Sequence, residues 1–171
     1  MTVFLLLLAG CGRSTPEHSF RGLDDQDHEL SEYLGRGKWT IVNVWSTSCP
    51  YCRMEIADLQ DFHDEHKDRD ATVLGIAIGF PDFDYPDPQV VKDYTSDYFI
   101  DFPSLLADAE QASLIVDHEI TLLPMTFFFD PDGKLAGRWE GMISLSQIER
   151  IIHNPSKESG LYGSGSRGFR N

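Results

Sequence analysis

Cationic residues are scarce. The 171-residue chain carries 14 Lys and Arg against 28 Asp and Glu, a net charge of −14, so no basic stripe exists to neutralise phosphates and nucleic acid is excluded as a partner. The acidity mainly confers solubility and repels acidic partners. Residues 154–171 hold Lys157, Arg167 and Arg170 against Glu158, or +2, which leaves −16 on the first 153. The apolar N-terminal run, Val3 to Leu8, falls far short of the roughly 20 residues that span a bilayer. No internal repeat is visible. Cysteine is sparse: there are three, an odd number, so one needs a separate explanation from the other two. With 41% apolar residues the chain is too hydrophobic for wholesale disorder, and its length fits one ordinary globular domain.

Leu8-Ala9-Gly10-Cys11 resembles the lipobox of bacterial lipoproteins, in which the signal is cut before the cysteine and that thiol carries lipid. No Lys or Arg precedes the apolar run, so residues 1–10 read as a shortened lipoprotein signal segment. Residues 11–19, small, polar and proline-bearing after Cys11, read as a linker. A globular domain is expected over 20–153, followed by a disordered Gly/Ser-rich tail over 154–171. The resemblance implies an extracytoplasmic, membrane-anchored lipoprotein, in the periplasm or on the outer cell surface.

Within the domain, Phe20 to Leu30 reads as a short hairpin turning at Asp24 to Asp27, and Thr40 to Trp45 is a β-branched and aromatic run of strand length. In the helix that follows, Ile56, Leu59, Phe62 or His63, and His66 recur at helical spacing. Val73 to Ile78 is an unbroken apolar run of the kind buried on both faces of a sheet. A helix is expected from about Asp87 to Phe99, a strand at Ser104 to Leu106 and a helix near Glu110 to Asp117. Strands at Met125 to Asp130 and Lys134 to Glu140 are joined by the turn signal Pro131-Asp132-Gly133. A last helix spans Ser144 to His153. This order predicts an α/β fold, a central mixed sheet with helices on both faces and an N-terminal hairpin extension.

The chemistry lies in Cys49-Pro50-Tyr51-Cys52, where a buried strand passes into a helix. Two cysteines at this spacing are a redox motif or half of a metal site. With Cys49 as N-cap, Pro50 occupies the first helical position at no cost, and the N–H groups of Tyr51 and Cys52 can point at the Cys49 sulfur. Those donors and the helix dipole favour an exposed Cys49 thiolate as nucleophile, with a more buried Cys52 as resolving thiol. A structural zinc site would want a second Cys or His pair, and there is no fourth cysteine.

The ordered set formed by Ile41-Val42-Asn43-Val44-Trp45, Cys49-Pro50-Tyr51-Cys52, Arg53-Met54-Glu55, Leu122 to Asp130 with Asp132-Gly133-Lys134, and Gly141 resembles the thioredoxin superfamily, and within it the TlpA/ResA-like membrane-tethered thiol-disulfide oxidoreductases. The resemblance covers about Phe20 to His153. It implies a thioredoxin-like fold and a redox-active Cys49–Cys52 disulfide as the whole redox apparatus, with no cofactor or resident metal. It also implies a cis proline at Pro124, which presents the Leu123 backbone to an extended substrate segment. Trp45, Pro50 and Tyr51 join Leu123 and Pro124 as the expected substrate-binding set. Where many thioredoxins carry an Asp, this chain has Asn43, which cannot accept the Cys52 proton. Glu55 matches an acidic residue of the TlpA-like branch and either relays a proton to Cys52 or stands as an exposed first-turn acid.

The resemblance implies reductive work on exported thiol proteins, reducing their disulfides as in apocytochrome c preparation, with recharging by a membrane or periplasmic redox partner. The Cys-Pro-Tyr-Cys tetrapeptide is that of many glutaredoxins, so a thiol oxidase or isomerase is the alternative. A peroxiredoxin Pro-x-x-x-Thr-x-x-Cys motif fails, because Val42 and Ser46 stand seven and three positions before Cys49. His118 with the two cysteines invites comparison with Sco-type copper-binding and delivery modules, although their cysteines are separated by three residues and not two. His63 and His66 read as a solvated helix face, and Asp82, Asp84 and Asp87 as loop surface. The loop Pro81 to Pro88 is expected to shape a partner surface.

Overall fold

The computed structural model describes residues 19–154. Cys11, the signal segment and almost all of the linker and tail lie outside them. Seven strands form one sheet, ordered β2-β1-β5-β4-β3-β6-β7. They are β1 (Ser19–Gly22), β2 (Asp27–Glu29), β3 (Trp39–Trp45), β4 (Ala71–Ala77), β5 (Ser104–Leu106), β6 (Met125–Phe129) and β7 (Leu135–Glu140). The helices are α1 (Pro50–His66), α2 (Pro88–Asp97), α3 (Ala109–Val116) and α4 (Leu145–His153). The hairpin extension is present: β1 pairs with β2 and then joins the sheet antiparallel to β5.

β3 lies parallel to β4 and antiparallel to β6. Nearly every residue of β3 and β4 is buried, so both sheet faces are covered, as the unbroken apolar run Val73 to Ile78 predicts. Alternation sends Asn43 and Thr126 to the face under α1, while Phe127, the next residue, turns to the opposite face and meets His118 beyond α3. At the β6–β7 turn, Asp130 Oδ1 accepts from the N–H groups of Asp132 and Lys134, and Gly133 adopts φ +81°. Among the described residues no helix is long and apolar enough to cross a membrane.

Each main helix starts at a residue suited to it. Cys49 caps α1, Asp87 caps α2 by accepting from Gln89 and Val90 N–H, and Asp108 caps α3 through Gln111 N–H. The buried stripe of α1 is longer and more polar than periodicity suggests: Cys52, Glu55, Ile56, Leu59, Phe62, His63 and His66 all face inward. His63 and His66 are therefore not a solvated face. His63 Nδ1 accepts from the Val73 N–H at 3.2 Å, and burial pushes its pKa down. The His66 ring stacks on Phe62 with centroids 4.3 Å apart.

Candidate active site

Ser46, Thr47 and Ser48 lead from β3 to Cys49 at the head of α1. The Cys52 N–H donates to Cys49 Sγ at 3.2 Å, and the two cysteines are joined as a disulfide with Cα atoms 5.3 Å apart. After reduction, that donor and the positive end of α1 favour thiolate on Cys49. The expected contrast in burial between the two is not found. Cys49 is 1% exposed and Cys52 0%, because the Cys49 side chain turns back onto the first turn of its own helix to reach its partner. Pro50 and Tyr51 are outermost, with Tyr51 60% exposed.

Trp45 also departs from expectation. Its side chain is buried, with its ring 5.7 Å from Tyr94 of α2 and close over Gly75 of β4, where a Cβ would stand 2.9 Å from Trp45 Nε1. It packs beneath the site and offers no face to a substrate.

Glu55 is buried, not a surface acid. Its Oε1 accepts from Asn43 Nδ2 at 2.8 Å and its Oε2 from the Ile143 N–H at 2.8 Å. Asn43 Nδ2 also donates to Thr126 Oγ1 at 3.1 Å, while Asn43 Oδ1 is buried without a partner. Burial pushes the Glu55 carboxyl up to about 7; the Ile143 and Asn43 bonds pull against that rise and the Asp58 charge adds to it. A carboxyl poised near neutrality, one helical turn from Cys52, can both give and take a proton. Thr126 and the Ile143 N–H were not foreseen from the sequence, since nothing local marks a residue or backbone donor that reaches Glu55 across the fold.

The Leu123–Pro124 peptide is cis. Val44 pairs with Met125, so Pro124 lies opposite Trp45, at the sheet end that carries the cysteines, and its carbonyl accepts from Gly141 N–H at 2.9 Å. Beside the cysteine loop runs a groove of about 300 Å³ with Ser46, Thr47 and Ser48 on one side and Phe80, Asp82 and Tyr85 on the other. The 81–88 loop thus forms a wall next to the site. His118 is half-buried beside Phe127, with centroids 6.1 Å apart. Cys49, Cys52 and His118 do not converge as a ligand set; among the described residues, the trio that does is Glu65, His66 and Glu149.

A disulfide at the N-terminus of the first long helix, over a buried carboxyl and beside a cis-proline strand, defines a thioredoxin-like disulfide oxidoreductase. The sequence matches the AhpC/TSA family over residues 11–138, and the protein belongs to that family. It is similar to the thiol-disulfide oxidoreductase ResA of Geobacillus kaustophilus, 24% identical over 143 residues that make up 84% of this chain and 76% of that protein. Among solved structures it resembles a thioredoxin-family thiol:disulfide interchange protein from Chlorobium tepidum, with TM-score 0.67, 26% identity and coverage of 85% and 92%. It shares the fold of a secreted thiol-disulfide isomerase from Corynebacterium glutamicum, with TM-score 0.66, 23% identity and coverage of 81% and 83%.

Proposed function

We propose that this oxidoreductase works reductively outside the cytoplasm, on disulfides of exported proteins such as apocytochromes c, held at the membrane by lipid on Cys11. The observation that carries the catalytic assignment is the Cys49–Cys52 disulfide at the head of α1, one turn above buried Glu55. In the reduced enzyme the Cys49 thiolate attacks a substrate disulfide, forming a mixed disulfide and releasing one substrate thiolate. Cys52, its proton passed to Glu55, then attacks Cys49 Sγ; the second substrate thiol leaves and the enzyme disulfide closes. Two electrons pass to the substrate. No cofactor beyond this disulfide and no resident metal take part in the reaction. The exposed Tyr51 and Pro50, with the Leu123–Pro124 strand end, receive the substrate segment. A membrane or periplasmic dithiol protein restores the dithiol, and nucleic acid plays no part. The likeness to ResA and to a secreted isomerase supports the extracytoplasmic assignment.

Two measurements test this. Cys52→Ser should accumulate a mixed disulfide on Cys49, whereas equal trapping on Cys52 in Cys49→Ser would overturn the roles. The reductive reading expects a Cys49–Cys52 potential more negative than about −200 mV; a less negative value, toward the poise of disulfide isomerases and DsbA, transfers the assignment to an oxidase or isomerase.

A further inference from the structure

At the far end of α1, roughly 21 Å along the helix from Cys52, a second cluster of chemistry-bearing residues plays no part in disulfide exchange. His66, the last residue of α1, is 1% exposed. Its Nδ1 lies 2.7 Å from Asp70 Oδ1. A carboxylate can only accept, so Nδ1 carries the proton and the Arg69 Nη2 that approaches it at 3.2 Å finds no lone pair there. The lone pair of the neutral ring is therefore on Nε2. That atom is buried and has no hydrogen-bond partner, and it is aimed at Glu149 Oε1 of α4, 3.7 Å away. Glu65 completes the group: ligand atoms of Glu65, His66 and Glu149 all lie within 4.8 Å of one another.

We propose that His66, Glu65 and Glu149 form a binding site for a divalent first-row transition cation such as zinc, which clamps the C-terminal ends of α1 and α4. The donor set is one imidazole nitrogen and two carboxylates, with Asp70 fixing the tautomer and aim of the ring from behind, the arrangement that orients histidine ligands in metal sites. Tetrahedral ligands about 2.1 Å from zinc stand roughly 3.4 Å apart. From a present spread within 4.8 Å, the half-buried Glu149 and exposed Glu65 side chains need close by no more than about 1.4 Å around the rigid imidazole. Both helices direct their negative dipole ends here, which favours a cation, while Arg69 opposes it. His153 of α4 offers a further donor close by. Its Nδ1 donates to the Glu149 carbonyl at 2.7 Å, which leaves its Nε2 lone pair for a ligand, and its ring centroid is 6.4 Å from that of His66. An imidazole at the centre selects zinc and its neighbours over calcium.

The test uses untagged, full-length Cys11→Ser protein with the Cys49–Cys52 disulfide closed, so that no thiol competes for metal. Calorimetric titration with zinc should show one saturable equivalent, and a hundredfold excess over Kd should raise Tm by roughly 5–10 °C. Glu149→Gln and Glu65→Gln, both side chains with access to solvent, should each weaken binding at least tenfold. His66→Gln should abolish it; where loss of that buried ring unfolds the domain, the two glutamate variants decide alone. Absence of a saturable site, zinc affinity that survives both glutamate changes, or calcium binding of equal strength overturns the proposal.

Discussion

Glu55→Gln removes a charge while keeping the side chain's shape. In the folded protein the carboxyl titrates at about 7 against an ordinary 4.5, so folding favours its protonated form. The associated stability is fully present below pH 4.5, is lost as pH rises, and is gone once pH passes 7. The difference of 2.5 units at 1.36 kcal/mol each amounts to about 3 kcal/mol. Glutamine does not titrate and carries no such loss. It also fits the hydrogen bonds: Asn43 Oδ1 has no partner, and a flipped Asn43 amide would accept from the Gln Nε2, leaving the Gln oxygen for the Ile143 N–H.

Urea unfolding of the oxidised wild type and Glu55→Gln at a series of pH values checks this. The other carboxylates, common to both proteins, cancel in the difference. The stability of the variant relative to wild type should climb by about 3 kcal/mol between pH 4 and pH 8, most of it before pH 7. In the reduced protein, cysteine alkylation should move to lower pH in the variant, because above pH 7 the wild-type carboxylate opposes thiolate formation. A stability difference that stays flat across this range would refute the burial argument, and superimposable alkylation profiles would remove Glu55 from the chemistry.

Asn43→Ala takes one of the two donors from Glu55, so its carboxyl should titrate at higher pH than in wild type. The cost in stability should be roughly 2 kcal/mol, read by the same denaturation series. His118→Ala should change disulfide-exchange rates less than about twofold, and copper added to the reduced wild type should yield to a modest chelator; a tight one-to-one copper complex dependent on His118 would instead establish the Sco-like reading.

The parts of the molecule that follow from local periodicity or local caps were legible in the chain. β3 announces itself as a β-branched and aromatic run, β4 as the unbroken apolar run Val73 to Ile78, and the β6–β7 turn as Pro131-Asp132-Gly133. Cys49 and Pro50 mark the start of α1 because a cap and a first-turn proline act within a few residues of where they stand. What could not be read depends on neighbours distant in sequence. Whether His66 lies in water or under α4 is decided by the packing of α4, whose Glu149 stands 3.7 Å from its Nε2. The inward turn of Trp45 depends on Gly75 and Tyr94, and the state of Glu55 on a backbone N–H 88 residues away.

Glu55 occupies a position on the inner stripe of α1, beside Ile56 and one turn before Leu59, where an apolar side chain could be buried without a titration cost. The fold instead holds a group whose ionisation takes back about 3 kcal/mol above pH 7, a large share of the 5–15 kcal/mol that typically separates folded from unfolded chains. Its hydrogen bonds do not account for that choice. The Ile143 N–H and the Asn43 amide could be satisfied by a neutral glutamine with the amide turned over. What the carboxyl alone adds is a proton that exchanges near neutrality, one turn from the thiol that must lose one before it can attack. The stability penalty and the proposed chemistry therefore rest on the same property, burial of a titrating acid, and Glu55→Gln should gain the one as it loses the other.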